Sequence, residues 1–132
     1  MISLDTNVLI RYLVRDDAEQ AEVARELLEG LTEHNQGFIC REVTTEMVWV
    51  LERSYRFTRE QIADVLLEML ATDGLAFEND RDVTHAVESY RLGGPDFADQ
   101  VILSAANRNG AMPLYTFDRK FSRMYGTVLL ES

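Results

Sequence analysis

Asp96-Phe97-Ala98-Asp99-Gln100-Val101-Ile102-Leu103-Ser104-Ala105-Ala106-Asn107-Arg108-Asn109 begins with two aspartates three residues apart and continues apolar on most sides. Gly93-Gly94-Pro95 stops the chain just before it, a punctuation that sets a helix start. A helix apolar on most sides is expected to be centrally buried. Beyond it, Leu114-Tyr115-Thr116-Phe117 reads as a strand ending at Asp118, and a short helix leads to a last strand at Thr127-Val128-Leu129-Leu130.

The alternation continues upstream. Residues 1–4 read as a short strand ending at Asp5, and residues 6–14 as a helix. An amphipathic helix over about 17–33 carries Ala21, Ala24, Leu27, Leu28 and Leu31 at helical spacing. Phe38-Ile39-Cys40 is a second strand, followed by a helix over about 42–54. Thr58-Arg59-Glu60-Gln61 is a capping box that opens a helix to about 71. Leu75-Ala76-Phe77 is a strand, and Asp80 starts a helix carrying Val83, Ala86, Val87 and Tyr90. Strands separated by helices imply α/β architecture, with a central parallel sheet covered by helices on both faces in three layers. The 132 residues fit a single domain over 1–132.

Composition narrows the chemistry. Cys40 is the only cysteine, so neither an intrachain disulfide nor a cysteine zinc site can form. It reads as a buried, inert thiol. His34 and His85 stand far apart in polar surroundings, which leaves acid–base and metal work to carboxylates. The net charge of −10 excludes a broad basic grip on nucleic acid, though not contact with a few phosphates aided by metal ions. No apolar run is long enough for a membrane span. The start Met1-Ile2-Ser3-Leu4-Asp5 lacks the features of a signal peptide, so a cytoplasmic protein without membrane contact is expected.

Asp5 and Asp118 each follow a strand, and ligands of open parallel sheets sit at such carboxyl ends. Asp96 and Asp99 share one helical face. Glu46 stands in an otherwise apolar segment, with Glu42 one turn before it. Each acid alone has an ordinary reading as a helix cap or surface group. Together they would repel one another and raise their pKa values unless a cation sat among them. Oxygen ligands without His or Cys favour Mg²⁺ or Mn²⁺, and the chemistry that follows is phosphodiester hydrolysis.

The motifs are familiar as a set. Leu4-Asp5-Thr6-Asn7-Val8-Leu9-Ile10, Val43 to Leu51 around Glu46, Asp96-Phe97-Ala98-Asp99-Gln100-Val101-Ile102 and Thr116-Phe117-Asp118-Arg119-Lys120-Phe121 occur in that order. With them the chain resembles the PIN-domain nucleases, and among these the VapC-type toxins of bacterial toxin–antitoxin pairs. The resemblance implies a PIN-like domain and a metal-dependent endoribonuclease. Asp5, Glu46, Asp99 and Asp118 would be the catalytic acids and the ligands of Mg²⁺ or Mn²⁺, with Asp96 auxiliary. Thr6, Asn7 and Thr116 would orient the site, ordinary turn and strand roles being the alternative. Glu42 matches no motif acid.

The resemblance also implies an RNA substrate, a cognate antitoxin and a homodimer. Apolar residues on the helices around 43–70 are the expected antitoxin groove, with a core role as the alternative. Arg11, Arg15, Arg119 and Lys120 stand near motif acids as candidate phosphate contacts.

Three rivals share some of these features. A phosphotransfer receiver domain needs an acidic pair near its first strand, where Asp5 stands alone. A dehalogenase-type phosphatase needs an aspartate two residues after its nucleophile, where Asn7 stands. A binding-only PIN domain would have lost catalysis, against the presence of all four acids.

Overall fold

The computed structural model describes residues 1–131. They fall into two compact units, Met1–Asp80 and the remainder from Arg81.

The first unit is built on a three-stranded parallel sheet of β1 (Ile2–Ser3), β2 (Gly37–Ile39) and β3 (Leu75–Phe77), in that order. Ile2 pairs with Gly37, and Gly37 with Leu75. The strands are shorter than the apolar runs suggest, because Leu4 and Cys40 already turn toward helix starts. At Gly37 the ends of two leucine side chains close over the strand and would have to move for any larger residue. A Cβ there would lie 2.6 Å from Leu4 Cδ1 and 2.8 Å from Leu31 Cδ1, closer than packed carbon atoms tolerate.

Four helices accompany this sheet: α1 (Thr6–Val14), α2 (Ala18–Glu29), α3 (Arg41–Arg53) and α4 (Arg59–Leu70). The expected helix to residue 33 ends at Glu29, four residues early. Gly30 follows, and Thr32 bridges to Asn35 in a tight turn. Asp17 caps α2 by accepting from Gln20 N at 3.1 Å. The Thr58–Gln61 capping box is present at the start of α4. The apolar positions sort as helical periodicity dictates. Met47, Val48 and Leu51 of α3, and Ile62, Ala63 and Leu66 of α4, are buried with Leu9 and Ile39.

The second unit contains nearly all of α5 (Asp80–Arg91), then α6 (Phe97–Arg108), a two-stranded parallel sheet of β4 (Leu114–Thr116) and β5 (Thr127–Leu129), and a 3₁₀ turn at Phe121–Arg123. Tyr115 pairs with Val128. Val83, Ala86, Val87 and Tyr90 of α5 are buried. Tyr90 meets Phe97 edge to face, with ring centroids 5.8 Å apart.

The expected central burial of α6 is not found. Only Phe97 and Gln100 of this helix are buried, and Ile102 is 52% exposed. A unit of some fifty residues has too little surface to cover a helix on every side. Cys40, expected to be buried, is half-buried at the start of α3.

Candidate functional site

In the first unit the chain leaves β1, buries Leu4 and sets Asp5 in extended conformation as the N-cap of α1. The Asp5 carboxylate accepts from Thr6 N at 2.8 Å. The buried Thr6 side chain donates its hydroxyl to Glu46 Oε1. Glu46 lies on the exposed edge of α3, beside the buried Met47 and Val48. Thr6 therefore contacts both acids, one through its amide and one through its hydroxyl. A cleft of about 330 Å³ opens over them, lined also by Asn7, Arg11 and Tyr55.

Arg11 is braced in that cleft. Its guanidinium donates to Gln20 Oε1 at 2.6 Å and pairs with Asp16 at 3.2 Å. Tyr55 donates to the other Asp16 oxygen at 2.7 Å. The Tyr55 hydroxyl, aided by the Arg11 charge, holds the Asp16 carboxyl below its ordinary range against the pull of desolvation. Asp16 in turn pushes the Tyr55 phenol up. The network fixes a cation beside Asp5 and Glu46 without placing a further acid in the cleft. Arg15 instead stands over the Tyr12 ring, 6.0 Å from its centroid.

In the second unit Asp96 is the N-cap residue of α6 but gives the helix no side-chain cap bond. Asp99 lies in the first turn. Burial pushes its carboxyl up, and the charges of Asp96 and Asp118 push it further. Asp118 follows β4 by two residues. Its Oδ1 accepts from Lys120 N at 2.9 Å and Phe121 N at 3.1 Å, which fixes the turn into the 3₁₀ segment. Thr116 Oγ1 accepts from Asp118 N at 3.0 Å, so its hydroxyl shapes the backbone that carries the acid. Arg119 and Lys120 are exposed.

These groups suit a hard divalent cation in their chemistry. The donors are carboxylates and hydroxyls throughout, and Asp99 carries the electrostatic cost of two neighbouring carboxylates that a cation would relieve. Among the described residues no three His, Cys, Asp or Glu side chains stand close enough together to hold a metal ion as they are. Glu42 is exposed on the first turn of α3. His34 is exposed at residue 34, and His85 is exposed on α5.

Three residues in these surroundings were not read from the sequence. Ser54 and Tyr55 line the first-unit cleft. Glu46, Val50 and Ser54 follow at steps of four, which puts them on one helical face, a usable signal. Gln100 is buried in the second unit although it is polar and follows a motif acid. Its position in a mostly apolar helix was the only hint. The expected apolar groove on residues 43–70 is largely core, and Trp49 is the one large hydrophobic residue of that stretch that is exposed. Exposed apolar side chains stand instead on α2, at Val23 and Leu27, beside a cleft of about 420 Å³.

The PIN domain family profile matches residues 2–127. Among curated proteins, the chain is similar to a VapC ribonuclease of Aquifex aeolicus (strain VF5). The two are 27% identical over 122 residues, which cover 92% of this chain and 90% of the relative.

Proposed function

The chain belongs to the PIN-domain family, and we propose that it is a metal-dependent endoribonuclease acting as the toxin of a toxin–antitoxin pair. The observation that carries this reading is the crowding of carboxylates at the start of α6. Burial and the charges of Asp96 and Asp118 all raise Asp99, so the ionised carboxylate is costly where it stands and a cation would relieve that cost. The similarity to a VapC ribonuclease supports RNA as the substrate.

The working carboxylates in this proposal are Asp5, Glu46, Asp99 and Asp118, which would hold Mg²⁺ or Mn²⁺, with Asp96 auxiliary. The cation supplies a Lewis acid that offsets phosphate charge and acidifies water. The protein's residues do the rest. Thr6 holds Glu46 through its hydroxyl and Asp5 through its amide, so both carboxylates keep their orientation when substrate enters. Glu46, exposed in the cleft, can accept the proton of an attacking water. The water oxygen bonds to phosphorus, the phosphorus–oxygen ester bond breaks, and the departing oxygen takes up a proton. Arg11, braced by Asp16 and Gln20, offers a fixed guanidinium for a phosphate oxygen.

An antitoxin that blocks the acids, a homodimer and a cytoplasmic location belong to the same proposal. No helix among the described residues is long and apolar enough to cross a membrane. The test is incubation of antitoxin-free protein with a mixed RNA pool in Mg²⁺, in Mn²⁺ and in EDTA. Cleavage in either metal that stops in EDTA is expected, and cleavage that persists in EDTA would contradict the proposal.

A further inference from the structure

The two-stranded sheet of the second unit has one apolar face open to solvent. Burial alternates along both strands. Leu114, Thr116, Thr127 and Leu129 are half-buried, whereas Tyr115 and Val128 are exposed. Tyr115 pairs with Val128, so these two side chains share a face. The ladder runs on past β4, where Leu130 N donates to Thr116 O at 2.8 Å. By the same alternation Phe117 and Leu130 join that face, and both are exposed. Tyr115 is 60% and Phe117 69% open to solvent. Two aromatic rings thus neighbour each other on an uncovered apolar surface, the kind that marks an interaction site.

The turn that leaves this face is basic. Arg119, Lys120 and Arg123 follow Phe117 within six residues, and all three are exposed. Over residues 111–131 they outnumber the acids Asp118 and Glu131, in a chain whose net charge is −10. Among the described residues none of the three has an ion pair, whereas Arg25, Arg41, Arg91 and Arg108 are each paired with an acid. The occupant that fits is therefore anionic as well as flat and apolar. A second copy of the chain fits poorly, because a two-fold contact sets these cations against their own kind. A single strand of RNA fits well. Its phosphates are negative, and its unpaired bases stack on aromatic rings. Tyr115 and Phe117 lie two residues apart, about 6.6 Å along an extended chain. That is about twice the 3.4 Å spacing of nucleotides in a stacked strand, so each ring can take its own base from a drawn-out one.

We propose that the Tyr115–Phe117 face and the basic turn beyond it bind single-stranded RNA, bases on the rings and phosphates on Arg119, Lys120 and Arg123. The inference rests on the ribonuclease reading for its biological sense and deepens it by naming the form of RNA that fits. Asp118, a motif acid, stands between Phe117 and Arg119. A strand held by the ring before it and the cations after it carries its backbone past that acid. Paired RNA keeps its bases stacked within the helix and offers none to the rings. The surface therefore favours unpaired loops and ends over helices, and it tolerates any base because every base has a stacking face.

The experiment is fluorescence anisotropy of a short labelled oligouridylate titrated with the intact chain in EDTA, where binding is read without cleavage. The same strand annealed to oligoadenylate runs beside it. The single strand is expected to bind saturably, and the duplex more weakly. Tyr115→Ala and Phe117→Ala should each lower single-strand affinity about five- to 150-fold, the range for losing one stacked base, and Tyr115→Phe should keep it. Arg119→Gln should flatten the salt dependence, by about 0.7 in the slope of log affinity against log salt if it loses one phosphate contact. If Phe117→Ala does not fold, Tyr115→Ala against Tyr115→Phe decides. Absence of single-strand binding overturns the proposal, as does equal binding of the duplex or affinity that the folded alanine variants retain in full. A dimer that dissociates in Tyr115→Ala while RNA affinity stays unchanged would give the face to a second copy instead. Tighter binding of polyglutamate than of the RNA would give it to an acidic protein segment. Cleavage assays in Mg²⁺ and Mn²⁺ separate the two readings. Single-strand binding without cleavage leaves the surface and removes the ribonuclease. Cleavage with equal single-strand affinity in wild type and the alanine variants does the reverse.

Discussion

In Met1–Asp80 the motif acids are held by a threonine, Asp5 through the Thr6 amide and Glu46 through the Thr6 hydroxyl. In the unit from Arg81 the charges acting on Asp99 are those of two further carboxylates. Packing does not divide the same way. Both units hold side chains closed to solvent, such as Leu51 and Ile62 in the first and Val87 and Tyr90 in the second, and both expose large apolar ones, Val23 and Trp49 in the first, Ile102 and Tyr125 in the second. The contrast lies in the acids: an amide and a hydroxyl hold those of the first unit, while Asp99 meets like charge in the second, which is where a cation is expected.

The largest expected effect separates buried from exposed positions, one taken from each unit. Leu51→Ala, at a fully buried site, should lose about 2–5 kcal/mol in urea unfolding. Ile102→Ala should stay within about 0.5 kcal/mol, as exposed positions do. Equal losses would show that Ile102 is packed as tightly as Leu51. Next comes Thr6→Val, which keeps the shape and deletes the hydroxyl bond to Glu46. A loss of about 1 kcal/mol is expected, with recovery in Thr6→Ser. No loss would mean that Glu46 is not held.

A smaller effect of opposite sign is expected at Asp99. Its folded pKa is raised above the unfolded value. The folded state therefore binds this proton more tightly, and stability falls as pH rises through the folded pKa. Above the folded pKa, in EDTA, the penalty is fully present, so Asp99→Asn should melt slightly higher than the wild type there and the difference should shrink toward acid pH. Because Asp99 is partly exposed to solvent, the gain is modest. A lower melting point would show that Asp99 serves the fold instead.

The smallest effect concerns Asp16. Its folded pKa is depressed, chiefly by the Tyr55 hydroxyl. Its contribution is present above the unfolded pKa and is lost as pH falls through the folded one. Tyr55→Phe should therefore be slightly less stable at neutral pH and match the wild type in strong acid. A difference that persists in acid would assign the loss to packing.

What the sequence made legible follows the same division. Helix periodicity located the buried face of α4 at Ile62, Leu66 and Met69, and that of α3 in part: Met47 and Leu51 are buried as spaced, but Thr44 and Val48 complete that face while Val43 and Val50 are only half-buried. The capping box located the start of α4 because both of its partners lie in the chain itself. For α6 periodicity misled, since its apolar residues surround the axis and the burial of Ile102 depends on what the rest of the chain can cover. The motif acids were legible through their positions beside strands and helix starts. Their immediate partners were less so. Tyr55 reaches Asp16 across 39 positions, and a cavity of the second unit is bounded by residues as distant as His85 and Val128, separations that no local pattern encodes.

The central claim is that the carboxylates around Asp99 are kept together for a divalent cation. Calorimetric titration of Mn²⁺ into the metal-free wild-type chain and into Asp99→Asn tests it most directly. The account predicts saturable binding to the wild type and affinity lower by about ten-fold or more in the variant, since even outer partners of metal ligands are worth about 10–100-fold. Equal Mn²⁺ binding by the two folded proteins would contradict it.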